Sequence, residues 1–318
     1  MPGAESTALP PAGEPSPSRR PHGLPPEFFD RARKLAQGEL VAVEPRHAAT
    51  VVLLRDTSSG IRAYLLRRAG SMAFAPRMHV FPGGSVDPRD AQIGDAAWIG
   101  PRPATWTTVL TADDGLARAL VAAAVRETFE ESGVLLAGPA ADRVVEDTTG
   151  EGWEADRLAL LDRSLSLADL LHRRGLALRA DLLRPWAHWI TPEPEPRRYD
   201  TRFFVAALPA GQRTRDVSTE SDRVIWVSPA EALERHAAGE LAMLPPTVVT
   251  LAELAGFADV AAVIRAGDAR DVRPILPRVV ISDADEARLL LPHEEGYPAT
   301  DPAPDAAPHP PRYDVSAP

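Results

Sequence analysis

Arg126-Glu127-Thr128-Phe129-Glu130-Glu131-Ser132-Gly133 is the stretch on which the reading of this 318-residue chain turns. Strong helix formers run from residue 116 to 132, Asp113 or Asp114 stands where an N-cap belongs, and Gly133 where a helix ends. Glu127, Glu130 and Glu131 fall at i, i+3 and i+4, a single stripe about 100° wide on a helix. Val121, Val125 and Phe129 recur every fourth residue on roughly the opposite side. The spacing therefore predicts a helix that buries one face and presents three carboxylates on the other. Such neighbours repel by about a few tenths of a kcal/mol per pair, and the helix dipole disfavours negative charge in the last turn. A divalent cation would turn that repulsion into attraction, since Mg²⁺ and Mn²⁺ favour oxygen ligands. On the stripe alone, a solvated acidic face explains the pattern as well.

Upstream, residues 49–54 form a β-branched apolar run, Thr57-Ser58-Ser59-Gly60 a turn, and residues 61–66 a second run, together predicting a hairpin. Val80-Phe81 leads into Pro82-Gly83-Gly84, read as a tight loop. Residues 27–38 predict a helix stopped by Gly38, whereas residues 87–111 show no sustained period. Downstream, strands are expected at 134–136, 186–190, 199–208 and 223–227. Helices are expected over 158–174, broken near 164–166, then from Pro229 to about 236 and over 246–266, with a small hairpin at 279–281 and 288–291. Hairpins mixed with interposed helices predict an α/β fold with a mixed sheet.

These motifs resemble the Nudix hydrolase family. Its signature is a Gly, five residues, a Glu, seven residues, then Arg-Glu-apolar-any-Glu-Glu-any-Gly-apolar. Gly84 and Arg126 to Val134 match it, with Thr128 at an apolar position. Asp90 stands where the signature has Glu, and 35 residues separate it from Arg126, an insertion of 28 at about 91–118. A box split in this way is similar to the branch that includes the peroxisomal coenzyme A diphosphatases of animals. Phe81-Pro82-Gly83-Gly84-Ser85-Val86-Asp87, Arg197-Arg198-Tyr199-Asp200-Thr201-Arg202-Phe203-Phe204 and Leu244-Pro245-Pro246-Thr247 carry the likeness, which spans about residues 49–254. The contiguous-box coenzyme A subgroup has an upstream Leu-Leu-Thr-x-Arg-Ser motif, of which Leu65-Leu66-Arg67-Arg68-Ala69 keeps only the start.

The resemblance implies a Nudix-type α/β/α sandwich with inserted helices. It also implies a metal-dependent hydrolase in which water attacks phosphorus of a nucleoside diphosphate-linked substrate. Coenzyme A or an acyl-CoA is the leading substrate; ADP-ribose, NADH or a nucleotide sugar, or ligand binding without turnover, are the alternatives. Mg²⁺ or Mn²⁺ is expected on Glu127, Glu130, Glu131 and the backbone at Gly84, where a missing Cβ lets the chain approach an ion. Glu130, Glu131 and Glu220 are the candidates for catalysis, with Glu193 and Glu195 behind them. Arg68, Arg198 and Arg202 are candidates for phosphate, since guanidinium groups bind it bidentately. Gly83, Arg126 and Gly133 are expected to shape the box, Arg126 by orienting its carboxylates. His79 reads as structural, and Trp98 and Trp106 as covers of a substrate entrance.

Composition bounds the rest. A net charge of −10 argues against a nucleic acid partner. No cysteine is present, so thiolate metal sites are excluded. No apolar run approaches the ~18 residues of a membrane span. Residues 1–26 and 293–318 hold about half of the 33 prolines and read as disordered leader and tail around a single domain at 27–292. Neither a secretory signal nor a peroxisomal Ser-Lys-Leu address is present, so a cytoplasmic protein is expected. The expected partner is a small-molecule diphosphate, with a homodimer left open.

Overall fold

The computed structural model describes residues 26–70, 75–215, 221–282, 287–292 and 294–298. The strands are β1 (Arg46–Thr57), β2 (Gly60–Arg68), β3 (His79–Val80), β4 (Gly83–Ser85), β5 (Trp98–Ile99), β6 (Ala137–Gly138) and β7 (Ala177–Arg179). They continue with β8 (Arg184–Ile190), β9 (Tyr199–Ala207), β10 (Ser221–Val227), β11 (Pro274–Ile275), β12 (Arg278–Ile281) and β13 (Ala287–Leu290). The helices are α1 (Pro26–Ala36), α2 (Pro103–Leu110), α3 (Asp114–Ser132), α4 (Glu151–Leu161), α5 (Leu167–Arg174), α6 (Pro229–Ala237), α7 (Pro245–Leu254) and α8 (Val260–Asp268).

A mixed sheet in the order β10-β2-β1-β9-β8-β11 forms the centre. Its axis is the parallel pair β1 and β9, in register from Arg46↔Tyr199 to Leu54↔Ala207. Every side chain from Val51 to Leu54 is buried, because both faces of the sheet are covered. Ala49, Val51, Leu53, Tyr64, Leu66 and Phe204 pack against α3 and its surroundings. Val52, Leu54, Ile61, Ala63, Leu65, Phe203 and Val205 pack with side chains of α6, α7 and α8. The molecule is thus an α/β/α sandwich. Among the described residues no helix is long and apolar enough to cross a membrane.

One edge of β1 is shared by two partners. The hairpin partner β2 pairs with Leu54 to Thr57, and β4 pairs with Ala48 to Thr50. The Gly83-Gly84 segment, expected as a tight loop, is therefore a short strand laid on the sheet. Glycine makes this approach possible, because a Cβ on Gly83 would lie 2.5 Å from Thr50 Oγ1 and 2.6 Å from the Ala49 carbonyl oxygen.

The insertion is more ordered than its composition indicated. It contains a short 3₁₀ turn at Asp95–Ala97, β5 and the whole of α2, which Pro103 opens. Trp106 and Leu110, at i and i+4 on α2, are buried, so tertiary packing supplies what local propensity lacks. Trp98 and Trp106, expected as covers of a substrate entrance, are both buried, and both indole N–H groups donate to the Pro101 carbonyl. Three other expectations change. Residues 134–136 form no strand; there the Gln212 side-chain amide bonds both the N–H and the carbonyl of Leu135. The expected long helix at 246–266 is two helices, α7 and α8, with Asp259 capping the second through the Ala262 N–H. Finally, α3 is buried on nearly all sides, Glu130 and Glu131 included, because α2, α4 and the 3₁₀ turn at 88–92 surround it. The leader, and the tail apart from 294–298, lie outside the described residues.

Candidate active site

The site is built where β4 meets the C-terminal half of α3. Asp113 caps the helix through the Leu116 N–H at 2.7 Å, and Gly133 ends it in the left-handed region at φ 74°. Thr128, unusual at an apolar position, is fully buried and donates its hydroxyl to the Ala124 carbonyl at 2.7 Å, so no polar atom is stranded there.

At the centre lies the Arg126 guanidinium. Nε and Nη2 grip the two oxygens of Asp90, each at 2.9 Å. Nη1 donates to Glu127 at 2.7 Å and to Glu130 at 3.2 Å, and Nη2 also reaches the Ser85 carbonyl at 2.9 Å. Asp90 is 2% exposed and is held in turn: its carboxylate accepts from the Asp87 N–H at 2.8 Å in a reciprocal capping box. The residue that departs from the family signature is thus the one that clamps Arg126. The insertion leaves from just beyond this clamp, and α3 returns to it. Glu131 accepts from the Gly83 N–H at 2.8 Å. Gly84 lies so close to Glu127 that a Cβ there would be 2.5 Å from Oε1.

Three carboxylates, Asp90, Glu127 and Glu130, therefore share one guanidinium, with Glu131 on the Gly83 amide beside them. Burial pushes the Glu127 carboxyl up to about 7; Arg126 pulls against this and Glu130 adds to it. Burial raises Glu130 as well, again opposed by Arg126. Groups of this kind, with excess negative charge and proton affinity above the ordinary range, are concentrated at functional sites. Among the described residues no set of three His, Cys, Asp or Glu side chains converges as ready-made metal ligands. In this structure the carboxylates are directed to Arg126 and the Gly83 amide instead.

The other expected site residues divide. Arg68 ends β2, on the same face as Tyr64 and Leu66 and so towards α3; it pairs in register with Ser221 of β10. Arg202 is 2% exposed and its donors go to the Leu110 and Thr111 carbonyls and to Asp200. Arg198 donates to the Thr191 and Val43 carbonyls. These two arginines were expected to meet phosphate; in the structure Arg202 donates to carbonyls at the end of α2 and to Asp200, and Arg198 to carbonyls before β1 and after β8. Both therefore hold the fold together. His79 is buried, bonds the Ala242 carbonyl, and has its pKa lowered by burial. Glu195 lies in the β8–β9 connection, raised by burial, and Glu193 precedes it there. Glu220 lies outside the described residues. Among the described residues, the Arg215 N–H donates to the Ser132 carbonyl at the end of α3, and Ser221 begins β10 beside Arg68. Sequence reasoning missed Arg157, which is 2% exposed and reaches the Glu130 main chain. No motif marks it.

Comparison with known proteins agrees with this geometry. Residues 102–254 match a family profile described as the NUDT19 Nudix domain. The chain is 30% identical to the acyl-coenzyme A diphosphatase NUDT19 of Gallus gallus, over 73% of this chain and 72% of that protein. The Homo sapiens protein of the same name is 28% identical, over 76% of this chain and 73% of its own length. A crystal structure of a NUDIX hydrolase from Alicyclobacillus acidocaldarius superposes with a TM-score of 0.61 at 30% identity, covering 70% of this chain and 96% of that one. With the box helix, the Gly-Gly strand and the sandwich all in place, the chain is a hydrolase of the Nudix family, in the branch of the coenzyme A diphosphatases.

Proposed function

We propose that this enzyme hydrolyses the diphosphate bridge of coenzyme A or an acyl-CoA, with Mg²⁺ or Mn²⁺ held by Glu127, Glu130, Glu131 and the Gly84 carbonyl. The observation that carries the reading is the cluster of Asp90, Glu127 and Glu130 on the Arg126 guanidinium, with Glu131 on the neighbouring Gly83 amide. Its donors are hard oxygens, which suit these ions, and the chain has no softer thiolate. When bound, the ion supplies a Lewis acid that neutralises charge developing on the diphosphate oxygens.

The chain's own part is to position and to take a proton. Asp90 and the Ser85 carbonyl fix Arg126, and Arg126 fixes Glu127 and Glu130. Glu130 or Glu131, or Glu220 from the connection before β10, accepts a proton from the attacking water. The new P–O bond forms as the bond to the bridging oxygen breaks, giving two phosphate monoesters. Arg68, on the face towards α3, offers a guanidinium to the substrate phosphates. The choice of coenzyme A rests on the relatives named for that substrate and on the split box.

Incubation of the chain with coenzyme A, ADP-ribose and NADH in Mg²⁺, with products read by mass spectrometry, tests the reading. Release of 3′,5′-ADP and 4′-phosphopantetheine is the expected result. AMP plus a sugar phosphate from ADP-ribose alone would replace coenzyme A as the substrate.

A pH effect follows from the raised carboxyls. The unfolded Glu value is about 4.3, and Glu127 titrates near 7 in the folded, metal-free chain. The folded state thus binds the proton more tightly. This contribution to stability is full below the unfolded value and lost as pH rises through about 7. Mg²⁺ competes with that proton, so it should raise the melting temperature more at pH 8 than at pH 5.5. Scanning calorimetry with Mg²⁺ and with EDTA at both pH values measures the difference; an equal gain at both would contradict the ligand assignment.

A further inference from the structure

The C-terminal end of α3 raises a question of hydrogen bonding. A helix leaves its last four carbonyls without partners. The Phe129 carbonyl receives the Gly133 N–H at 2.9 Å. The Glu130 carbonyl would next receive the N–H of Val134, but the left-handed turn at Gly133 sends that group to Ser132 Oγ at 3.2 Å. Arg157 of α4 replaces it: its Nη1 donates to the Glu130 carbonyl at 2.8 Å.

Arg157 does not stand alone. Its Nη2 and Nε grip the carboxylate of Glu154, one turn earlier on α4, at 2.6 and 3.1 Å. Glu154 also accepts from Arg215 Nη1 at 3.2 Å. The Arg215 main chain donates to the Ser132 carbonyl, and its Nη2 to the Thr148 carbonyl at 3.0 Å. Thr148 closes the ring by donating its hydroxyl to the Gly133 carbonyl at 2.6 Å. The space is tight: a Cβ on Gly133 would lie 2.9 Å from Arg215 Nε. Trp153 of α4 packs edge-on against Phe129, with ring centroids 6.1 Å apart. A buried cation is thus placed against the negative end of the helix that carries the box glutamates, where it is favourable for the dipole. Its rigid fork ties α4 to the residue that carries one of those glutamates.

We propose that Arg157 is a positioning residue for hydrolysis, holding the last turn of α3 so that Glu130 and Glu131 face the metal; this rests on the metal reading given above. Neither the family box nor any motif includes it. The link to the carboxylates runs through the Glu130 backbone, not through the substrate. Groups that orient metal ligands are worth about 10- to 100-fold in metal affinity or activity, and the fork geometry makes lysine an incomplete substitute.

The test is Mn²⁺ binding to the full-length chain without substrate, read from the electron paramagnetic resonance signal of free Mn²⁺, for wild type, Arg157→Lys and Arg157→Met. Thermal unfolding is recorded alongside. The expected result is Mn²⁺ affinity weakened about tenfold or more in Arg157→Met and by less in Arg157→Lys. Wild-type affinity in both variants, even with a lower melting temperature, makes Arg157 a fold residue only and overturns the proposal. If Arg157→Met does not fold, Arg157→Lys decides: weakened binding supports the role and unchanged binding overturns it. Failure of wild type itself to bind Mn²⁺ overturns the metal reading, and this proposal with it, and differs from a failure confined to the variants.

Discussion

Glu130→Gln lowers kcat by about 10²- to 10⁴-fold, the range for loss of a positioned proton acceptor, and leaves the fold intact. The substitution keeps the shape and removes the charge. The amide oxygen still accepts from Arg126 Nη1, as the carboxylate does at 3.2 Å. Burial already raises the Glu130 carboxyl, so a neutral group at that place costs the folded state little. Steady-state rates with Mg²⁺ and the substrate found by the product screen, together with circular dichroism melting, separate the two effects. Wild-type turnover in Glu130→Gln would remove this residue from the chemistry. A low rate accompanied by a collapsed melting transition would show a structural role instead.

Arg126→Met has the opposite signature, a large loss of stability. Among the described residues Arg126 alone is in hydrogen-bond contact with Asp90, Glu127 and Glu130 together. Removing one partner of a buried ion pair costs about 3–5 kcal/mol because the remaining charge has no compensation. For a chain of this size that lowers the melting temperature by about 5–9 °C. The loss depends on pH in a defined direction. Arg126 opposes the burial that raises Glu127 and Glu130, so without it these carboxyls titrate higher still. Protonation then relieves the repulsion at low pH, and the deficit is smaller at pH 5.5 than at pH 8. Melting curves of wild type and variant at the two pH values check both size and sign. A deficit independent of pH would mean that Arg126 acts through packing alone.

Much of the local structure was legible in residues that carry their own conformational instruction. Asp113 and Gly133 marked the ends of α3, Ser228-Pro229 opened α6, and Thr57 to Gly60 turned the first hairpin. The box motif identified the family and the helix that carries its glutamates. What it did not convey was their surroundings. Spacing predicted a helix with one buried face and one face presenting three carboxylates, yet α3 is enclosed by the insertion helix α2, by α4 and by the 3₁₀ turn at 88–92. Propensity gave no sign of α2, whose stability comes from burying Trp106 and Leu110.

Arginine shows the division most clearly. Arg198 and Arg202 fall in the family-like segment from Arg197 to Phe204 and Arg157 in no motif, yet nothing in the sequence says which acceptor any of them meets. A guanidinium has five donors and no preference written into its neighbours for phosphate, carboxylate or a carbonyl. Which acceptor it meets depends on elements remote in the chain: Leu110 for Arg202, Val43 for Arg198, Glu130 for Arg157. By itself, then, the sequence determined the helix, its caps and its three glutamates, because these depend on neighbours within a turn. The clamp of Asp90 on Arg126 spans 36 residues, and the burial that lifts the carboxyls comes from several elements packed together. Only the tertiary structure decided those.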